Sequence, residues 1–174
     1  MNHRKNSIIK IRLARTKEAL SVSGLLYQSF AEYKSLYTAE AFAATTLSVH
    51  EIEARINKNA VWIVLYDGVI AGTISLIPNG DGIFIKSVAV APNARKKGLG
   101  KELMGHAEKM AIKEGAKSLE LTTTPFLLEA IRLYEYFGFR ENGYDNLHGT
   151  LLIRMIKYFK QTPLLSGEAM HFNN

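Results

Sequence analysis

The stretch Val88–Met104, VAVAPNARKKGLGKELM, changes character twice. An apolar run with two valines gives way to Pro-Asn-Ala and then to a basic segment that contains Gly98 and Gly100. Apolar residues at helical spacing follow. This order predicts a strand, a basic loop with two glycines and the first turn of a helix. The junction decides how the rest of the chain is interpreted.

The loop has the composition of an anion-binding site. Backbone N–H groups at the start of a helix lack intrahelical partners and carry the positive end of the helix dipole. Glycine at 98 and 100 lets a phosphate approach the backbone closely. The neighbouring bases supply neutralising charge: Arg95, Lys96, Lys97 and Lys101. The stretch is therefore interpreted as a pyrophosphate cradle, with a tight strand-to-helix turn and solvated lysines as the alternative.

Two familiar phosphate loops fit this stretch poorly. A Walker loop requires G-x-x-x-x-G-K followed by Ser or Thr, whereas Gly100-Lys101 is followed by Glu102. A dinucleotide fingerprint requires three glycines, and the loop has two.

Periodicity along the remaining chain predicts an α/β fold of the α+β type. The predicted order is β, α, α, β, β, β, α, β, α, β, β. Asp67-Gly68 between two apolar runs is the strongest hairpin signal. We expect one mixed, mostly antiparallel central sheet of about seven strands, with helices on both faces. The predicted strands are Ile8–Leu13, Val61–Tyr66, Val69–Ile77, Ile83–Val90, Ser118–Thr123, Phe139–Tyr144 and Thr150–Tyr158.

Four helices are predicted from apolar spacing and capping signals. The first is expected to be capped by Thr16, and its apolar positions at roughly helical spacing are Leu20, Leu25, Leu26 and Phe30. The second opens on the capping box Ser48-x-x-Glu51. The third runs from Leu99 to Gly115, and the fourth follows Thr124 as cap with Pro125 in its first turn.

Bulk composition bounds the class of protein. The 174 residues are 47% hydrophobic and 22% charged, which predicts a folded domain over residues 1–160 and a loosely ordered tail over 161–174. No apolar run approaches the roughly 18 residues of a membrane helix, so a cytoplasmic protein without membrane contact is expected. There is no cysteine, which excludes disulfides and thiolate chemistry.

The formal net charge of +6 is compatible with nucleic acid or with an anionic small ligand. The basic residues are dispersed and no long polybasic tail occurs, so a solvated surface explains the excess equally well. A basic nucleic-acid-binding protein is a third reading, but no recognised nucleic-acid motif is present and no nucleic-acid partner is expected.

Two motifs resemble one family. Arg95–Gly100, R-x-x-G-x-G after Val-Ala-Val, resembles the acetyl-CoA loop of the GNAT superfamily of N-acetyltransferases, whose motif is Q/R-x-x-G-x-G/A. Ala130–Phe139, AIRLYEYFGF, resembles the family's A-x-x-L-Y-x-x-x-G-F. The resemblance extends over about Ile8 to Tyr158 and includes the order of elements.

The resemblance implies roles for residues of this chain. The Val88 N–H would stabilise the oxyanion of the thioester, and Tyr134 would protonate the departing coenzyme A sulfur. The alternative for Tyr134 is a core aromatic position beside Phe137 and Phe139. The implied coenzyme contacts are Val88, Ala89, Val90, Arg95, Lys96, Lys97, Gly98, Leu99, Gly100 and Lys101.

The sequence departs from the family at two positions. Phe84 occupies the position of a glutamate base in histone-acetyltransferase-like members, and Leu127 replaces an asparagine that contacts the pantetheine. Replacement bases are a water chain or one of three residues, each of which is more readily explained as a surface or capping residue: Glu120, Asp81 and His50.

The resulting hypothesis is transfer of an acetyl group from acetyl-CoA to a primary amine of a small molecule or peptide, by direct attack in a ternary complex and without a metal. The alternative is a non-catalytic acetyl-CoA or acyl-CoA sensor. The region from Phe30 to Ile56 and the loop Asp145–His148 are expected to select the acceptor, with Tyr33, Tyr37 and Phe42 in the pocket or in the core. By resemblance, the last strand and tail offer a surface for a homodimer.

Overall fold

The computed structural model describes residues 7–160, which form a single seven-stranded sheet in the order β1-β2-β3-β4-β5-β7-β6. Only β4 and β5 are parallel, and all other neighbours are antiparallel. The predicted mixed, mostly antiparallel sheet is therefore confirmed. The strands are β1 (Ile9–Leu13), β2 (Val61–Tyr66), β3 (Val69–Asn79), β4 (Gly82–Val90), β5 (Ser118–Thr123), β6 (Arg140–Leu147) and β7 (Thr150–Tyr158).

Helices cover both faces of the sheet, as predicted. They are α1 (Ala19–Phe30), α2 (Ala39–Thr45), α3 (Val49–Ile56), α4 (Leu99–Lys113) and α5 (Leu128–Tyr136). Short 3-10 turns occupy Thr16–Glu18, Ala31–Leu36 and Pro92–Ala94. Among the described residues, none of the helices has the length and apolarity needed to cross a membrane. The tail predicted over 161–174 lies outside the described residues.

Two hydrophobic clusters hold the layers together. Helix α4 buries one side against the sheet, where Leu103 and Met104 have no exposed surface. On the opposite face α1 and α3 pack through Leu26 and Ile52, which are equally buried. Each large side chain removed from water in this way contributes about 1.5–3 kcal/mol. The capping box at Ser48 is present and begins α3 as predicted.

Two helix starts differ from the sequence prediction. Thr16 does not cap α1, because a 3-10 turn precedes that helix and Leu20 is 71% exposed rather than buried. Thr124 does not cap α5, which begins only at Leu128. Pro125 lies instead in a turn closed by the Leu127 N–H and the Thr124 carbonyl at 3.2 Å. Proline fits the first turn of a helix, but it fits the non-helical turn seen here equally well.

A bulge in β4 reverses the direction of its side chains. Lys86 pairs with Ser75 and Ala89 pairs with Thr73, so one residue of β3 is opposed by two of β4. Ser87 takes a left-handed φ of 53° at this point. Ile85 packs on the α4 side, and after the bulge Ala89 packs on the α1 side. Such bulges redirect strands next to functional sites.

The same strand separates from β5 before either strand ends. Their pairing comprises Ile83–Leu119, Phe84–Glu120 and Ile85–Leu121. Strand β4 nevertheless continues to Val90 and β5 to Thr123. The sheet is therefore open along the last part of both strands.

The entry into α1 depends on an ion pair that makes stability pH-dependent. Arg12 donates from Nη2 and Nη1 to the Glu18 carboxylate at 2.7 and 2.8 Å, and the Arg15 N–H donates to the same carboxylate at 2.8 Å. The Arg12 hydrogen bond lowers the pKa of Glu18 to about 2. A carboxylate with a lowered pKa stabilises the fold at neutral pH, and this contribution is lost as the pH falls from about 5 to 2.

We expect Glu18→Gln to lower the free energy of unfolding at pH 7 by about 1–2 kcal/mol, after allowance for solvent screening. The difference from the unmodified protein should shrink as the pH falls, and urea unfolding at pH 7, 5 and 4 measures it. Glu129→Gln is the control, since the pair of Glu129 with Arg132 is largely exposed and should change stability by less than about 0.5 kcal/mol. A pH-independent deficit in Glu18→Gln would contradict this account.

Candidate active site

The gap between β4 and β5 opens into a cavity of about 590 Å³. Both strands contribute to its wall, together with α5, the 3-10 turn Ala31–Leu36 and the β6–β7 hairpin. Six of the residues predicted from sequence as site residues line it: Val88, Ala89, Val90, Arg95, Gly100 and Tyr134.

Backbone donors of β4 point into this gap. The Ala91 N–H donates to the Ala71 carbonyl of β3 at 2.9 Å. Because successive N–H groups of a strand point to opposite sides, the Ala89 N–H also faces β3. The N–H groups of Val88 and Val90 therefore face the side where β5 has separated. They are available to a ligand that replaces the missing strand contacts.

Free backbone donors continue into the loop and the start of α4. The first helical hydrogen bond of α4 runs from the Glu102 N–H to the Gly98 carbonyl at 3.1 Å. Within residues 7–160 no backbone or side-chain acceptor meets the six preceding N–H groups, from Lys96 to Lys101. Leu99 is 1% exposed and its side chain packs in the core, which fixes the first turn of α4 against the sheet. Consecutive free donors at a helix N-terminus form an anion site.

The two loop glycines are required by the fold itself, in agreement with the alternative of a tight strand-to-helix turn. Gly98 has a φ of 78°, in the left-handed region that favours glycine. A Cβ on Gly100 would lie 3.1 Å from Leu133 Cδ2, so glycine here allows α4 to approach α5. Close approach of a phosphate stays a prediction for both positions.

The basic side chains of the loop differ in their surroundings. Arg95 forms an ion pair with Glu32 and donates to the Ser29 carbonyl at 3.0 Å, which ties the loop to the end of α1. Lys97 Nζ lies 4.3 Å from the centre of the Tyr66 ring. Lys101 Nζ lies 4.2 Å from the centre of the Tyr136 ring, and Lys96 is exposed. The lysines therefore remain the free positive charges at the loop.

Tyr134 lies at the inner end of the cavity. Its side chain is 6% exposed and its ring centre is 6.1 Å from that of Phe139. Its hydroxyl makes no hydrogen bond to any described residue, and Tyr134 lines the cavity. Burial and the nearby Tyr37 raise the pKa of Tyr134 well above its usual value of 10. The phenol therefore keeps its proton at neutral pH and is free to donate it.

An aromatic group lies at the part of the cavity formed by the 3-10 turn Ala31–Leu36. The ring of Phe126 stacks on Tyr33 with centres 6.2 Å apart and meets Tyr37 edge-on at 4.9 Å. Tyr33 and Tyr37 line the cavity, whereas Phe42 is buried against Tyr27. Of the three aromatic residues expected in the pocket or in the core, the two tyrosines lie in the pocket and the phenylalanine lies in the core.

None of the three side chains considered as a base lies at the cavity. Asp81 pairs with Lys117 at 2.6 Å, and Glu120 accepts a hydrogen bond from Ser118. His50 lies on α3 away from the lining. Over residues 7–160 no group of three or more His, Cys, Asp or Glu side chains is positioned to hold a metal ion.

Two residues that line the cavity were not predicted from the sequence. Thr123 ends β5 with a buried hydroxyl that has no hydrogen-bond partner among the described residues. Arg55 reaches the cavity from the last turn of α3. The separation of β4 from β5 and the packing of α3 bring these residues to the cavity. Neither can be predicted from a local sequence pattern.

Comparisons with known proteins agree with this geometry. A model of the acetyltransferase (GNAT) family matches residues 25–139. YhfO, an uncharacterized N-acetyltransferase of Bacillus subtilis, is 32% identical over 143 residues, or 77% of this chain and 91% of that protein. YjgM, an uncharacterized N-acetyltransferase of Escherichia coli, is 37% identical over 90 residues, 49% of this chain and 54% of that protein.

The fold also matches a solved structure. The PaiA N-acetyltransferase of Thermoplasma acidophilum, crystallised in complex with coenzyme A, superposes with a TM-score of 0.77 at 18% identity. The match covers 87% of this chain and 99% of that one. The chain belongs to the GNAT acetyltransferase family, as the two sequence motifs indicated.

The loop geometry predicts an effect of Gly98→Ala. A side chain in the left-handed region costs about 1–2 kcal/mol, and relief of that strain would turn the following N–H groups away from a bound anion. We expect the affinity for acetyl-CoA, measured by calorimetry, to fall about tenfold or more. The control is Gly105→Ala in α4, where the added methyl meets no atom within 4 Å. Unchanged affinity in Gly98→Ala would contradict an anion site at this loop.

Proposed function

We propose that this protein is an N-acetyltransferase that transfers the acetyl group of acetyl-CoA to a primary amine. The observation that carries the proposal is two groups of unpaired backbone donors along one path, Val88 and Val90 in the gap and Lys96–Lys101 at the start of α4. An extended ligand with amide groups at one end and phosphates at the other matches these donors. Coenzyme A has this chemistry, and PaiA was crystallised with it.

The polar groups at the gap divide between the two ends of such a ligand. The Val90 N–H would pair with an amide carbonyl of the pantetheine arm, the Val88 N–H would face the thioester, and the buried Thr123 hydroxyl offers a further partner on the β5 side. The N–H groups of Lys96–Lys101 would hold the pyrophosphate, with the lysine charges adding to the attraction. Leu127 lines the same cavity without a polar group, so we assign it no hydrogen bond to the ligand.

In the proposed reaction, the neutral amine nitrogen attacks the thioester carbonyl carbon directly. The C–N bond forms while the Val88 N–H stabilises the oxyanion, and the nitrogen releases its proton to water. The C–S bond then breaks and the sulfur takes a proton from Tyr134, which solvent reprotonates. The products are the acetylated amine and coenzyme A.

The test of this proposal is thiol release from acetyl-CoA in the presence of amines, peptides and aminoglycosides, followed with a thiol reagent. The chain has no cysteine and adds no thiol of its own. Release that depends on an added amine, with an acetylated product of the expected mass, supports the proposal. Tight binding of acetyl-CoA without release for any amine class would favour the alternative, a non-catalytic acyl-CoA sensor.

Replacement of Tyr134 by Phe separates catalysis from binding. We expect kcat to fall about 100-fold or more, because the thiolate loses its proton donor, while the affinity for acetyl-CoA changes little. The raised pKa of Tyr134 also predicts no loss of activity from its ionisation up to about pH 10. Tyr158→Phe, at an exposed site on β7, is the control. Equal kcat values for Tyr134→Phe and the unmodified enzyme would rule out the acid role.

A further inference from the structure

Arg55 brings a positive charge to the acceptor side of the cavity. It lies in the last turn of α3, is half-buried, and lines the same cavity as β4, Tyr33 and Tyr37. Its Nη1 donates to the Ser87 hydroxyl at 2.9 Å. Ser87 directly precedes Val88, so the guanidinium reaches the strand one residue from the predicted oxyanion donor.

This guanidinium has no carboxylate partner. Within the part of the chain that the structure describes, no acidic side chain lies within 4.0 Å of it. Glu51, one turn earlier on α3, acts on it through space, but the Glu51 carboxylate is bonded to Ser48 in the capping box. A guanidinium has five N–H donors, and the bond to Ser87 uses one of them. Burial lowers the pKa of Arg55, yet an arginine stays charged at neutral pH. Partial burial of an unpaired charge is costly unless a ligand supplies the counter-charge.

The other charged side chains at the cavity do not supply this counter-charge to Arg55. Arg95 and Glu129, which also line the cavity, are paired with Glu32 and Arg132. The remaining charged groups of the lining are three cations and one carboxylate: Arg55, Lys86, Arg154 and Asp145. The excess of positive charge disfavours a polycationic acceptor such as a polyamine, and it favours an acceptor with an anionic group.

The position of Arg55 restricts where that group sits on the acceptor. The attacking amine must reach the thioester carbonyl beside the Val88 N–H, and the free guanidinium donors lie next to the preceding residue. The amine and the anionic group must therefore be separated by only a few bonds. A carboxylate matches the planar fork of a guanidinium.

We infer that the acceptor is an amino acid or a close analogue, with a free carboxylate near its primary amine, and that Arg55 binds this carboxylate. The inference rests on the proposed acetyl transfer and names its substrate class. The two tyrosines and Phe126 then contact the side chain of the acceptor. A peptide N-terminus lacks the adjacent carboxylate and is disfavoured.

Arg55 also stabilises the β4 bulge through Ser87, and the experiment must separate this contribution. A purely structural arginine affects every acceptor equally, because it acts through the shared Val88 donor. A carboxylate-binding arginine affects only acceptors that carry the carboxylate. The informative quantity is therefore the ratio of kcat/KM for matched acceptors and not activity alone.

The experiment measures kcat/KM for free L-amino acids, for their amides and for the primary amines produced by removing the carboxylate. For the preferred amino acid we expect kcat/KM to exceed that of its decarboxylated amine by about 10- to 100-fold. In Arg55→Gln this ratio should fall to within about threefold of one, mainly through a higher KM. Ser87→Gly removes the hydroxyl, suits the positive φ and leaves the guanidinium, so it should retain the preference.

A second readout does not require turnover. Calorimetry with the coenzyme A complex measures binding of the amino acids and amines to the unmodified protein and to Arg55→Gln. Carboxylate-dependent binding that is lost in Arg55→Gln supports the inference even where no acetyl transfer occurs, in which case the proposed function fails instead. Equal or better turnover of the decarboxylated amines, or a preference that survives in Arg55→Gln, overturns the inference and leaves the transferase intact. Absence of both turnover and Arg55-dependent binding overturns both.

Discussion

The early end of the pairing between β4 and β5 is the constraint on which the site depends. Three residue pairs join these strands, and both then continue without each other. Separated strands leave backbone donors without partners, which is unfavourable in a packed sheet. The bulge at Ser87 contributes to the opening, since it changes the register of β4 against β3 just where β5 leaves. The proposed coenzyme would supply the missing hydrogen bonds.

Two arginines connect this opening to the helices on the α1 side of the sheet. Arg95 joins the loop before α4 to the end of α1 through Glu32 and the Ser29 carbonyl. Arg55 joins α3 to the bulge through Ser87. The elements proposed to select the acceptor are thus attached to the elements proposed to hold the coenzyme. Acceptor selection and coenzyme binding would then depend on the same connected set of helices and strands, although on different residues.

The sequence predicted the sheet and the strand-to-helix junction after β4 because both depend on local patterns. The hairpin at Asp67-Gly68, the capping box at Ser48 and the strand-to-helix junction each have a specific local cause. The predicted starts of α1 and α5 were wrong because Thr16 and Pro125 are each compatible with several local conformations. Tertiary packing selects among these conformations. Arg55 and Thr123 were missed because their meeting depends on where two distant strands separate. The reasons for glycine at 98 and 100 likewise required the φ angle and the position of Leu133.

Backbone amide hydrogen exchange, measured by NMR with and without saturating coenzyme A, tests most directly whether the gap holds the coenzyme. The account predicts that exchange at Val88 and Val90 slows by about tenfold or more on binding, because their N–H groups gain acceptors. Ala89, whose N–H already faces β3, should change little. Coenzyme A binding confirmed by calorimetry, with exchange at Val88 and Val90 unaltered, would contradict the account.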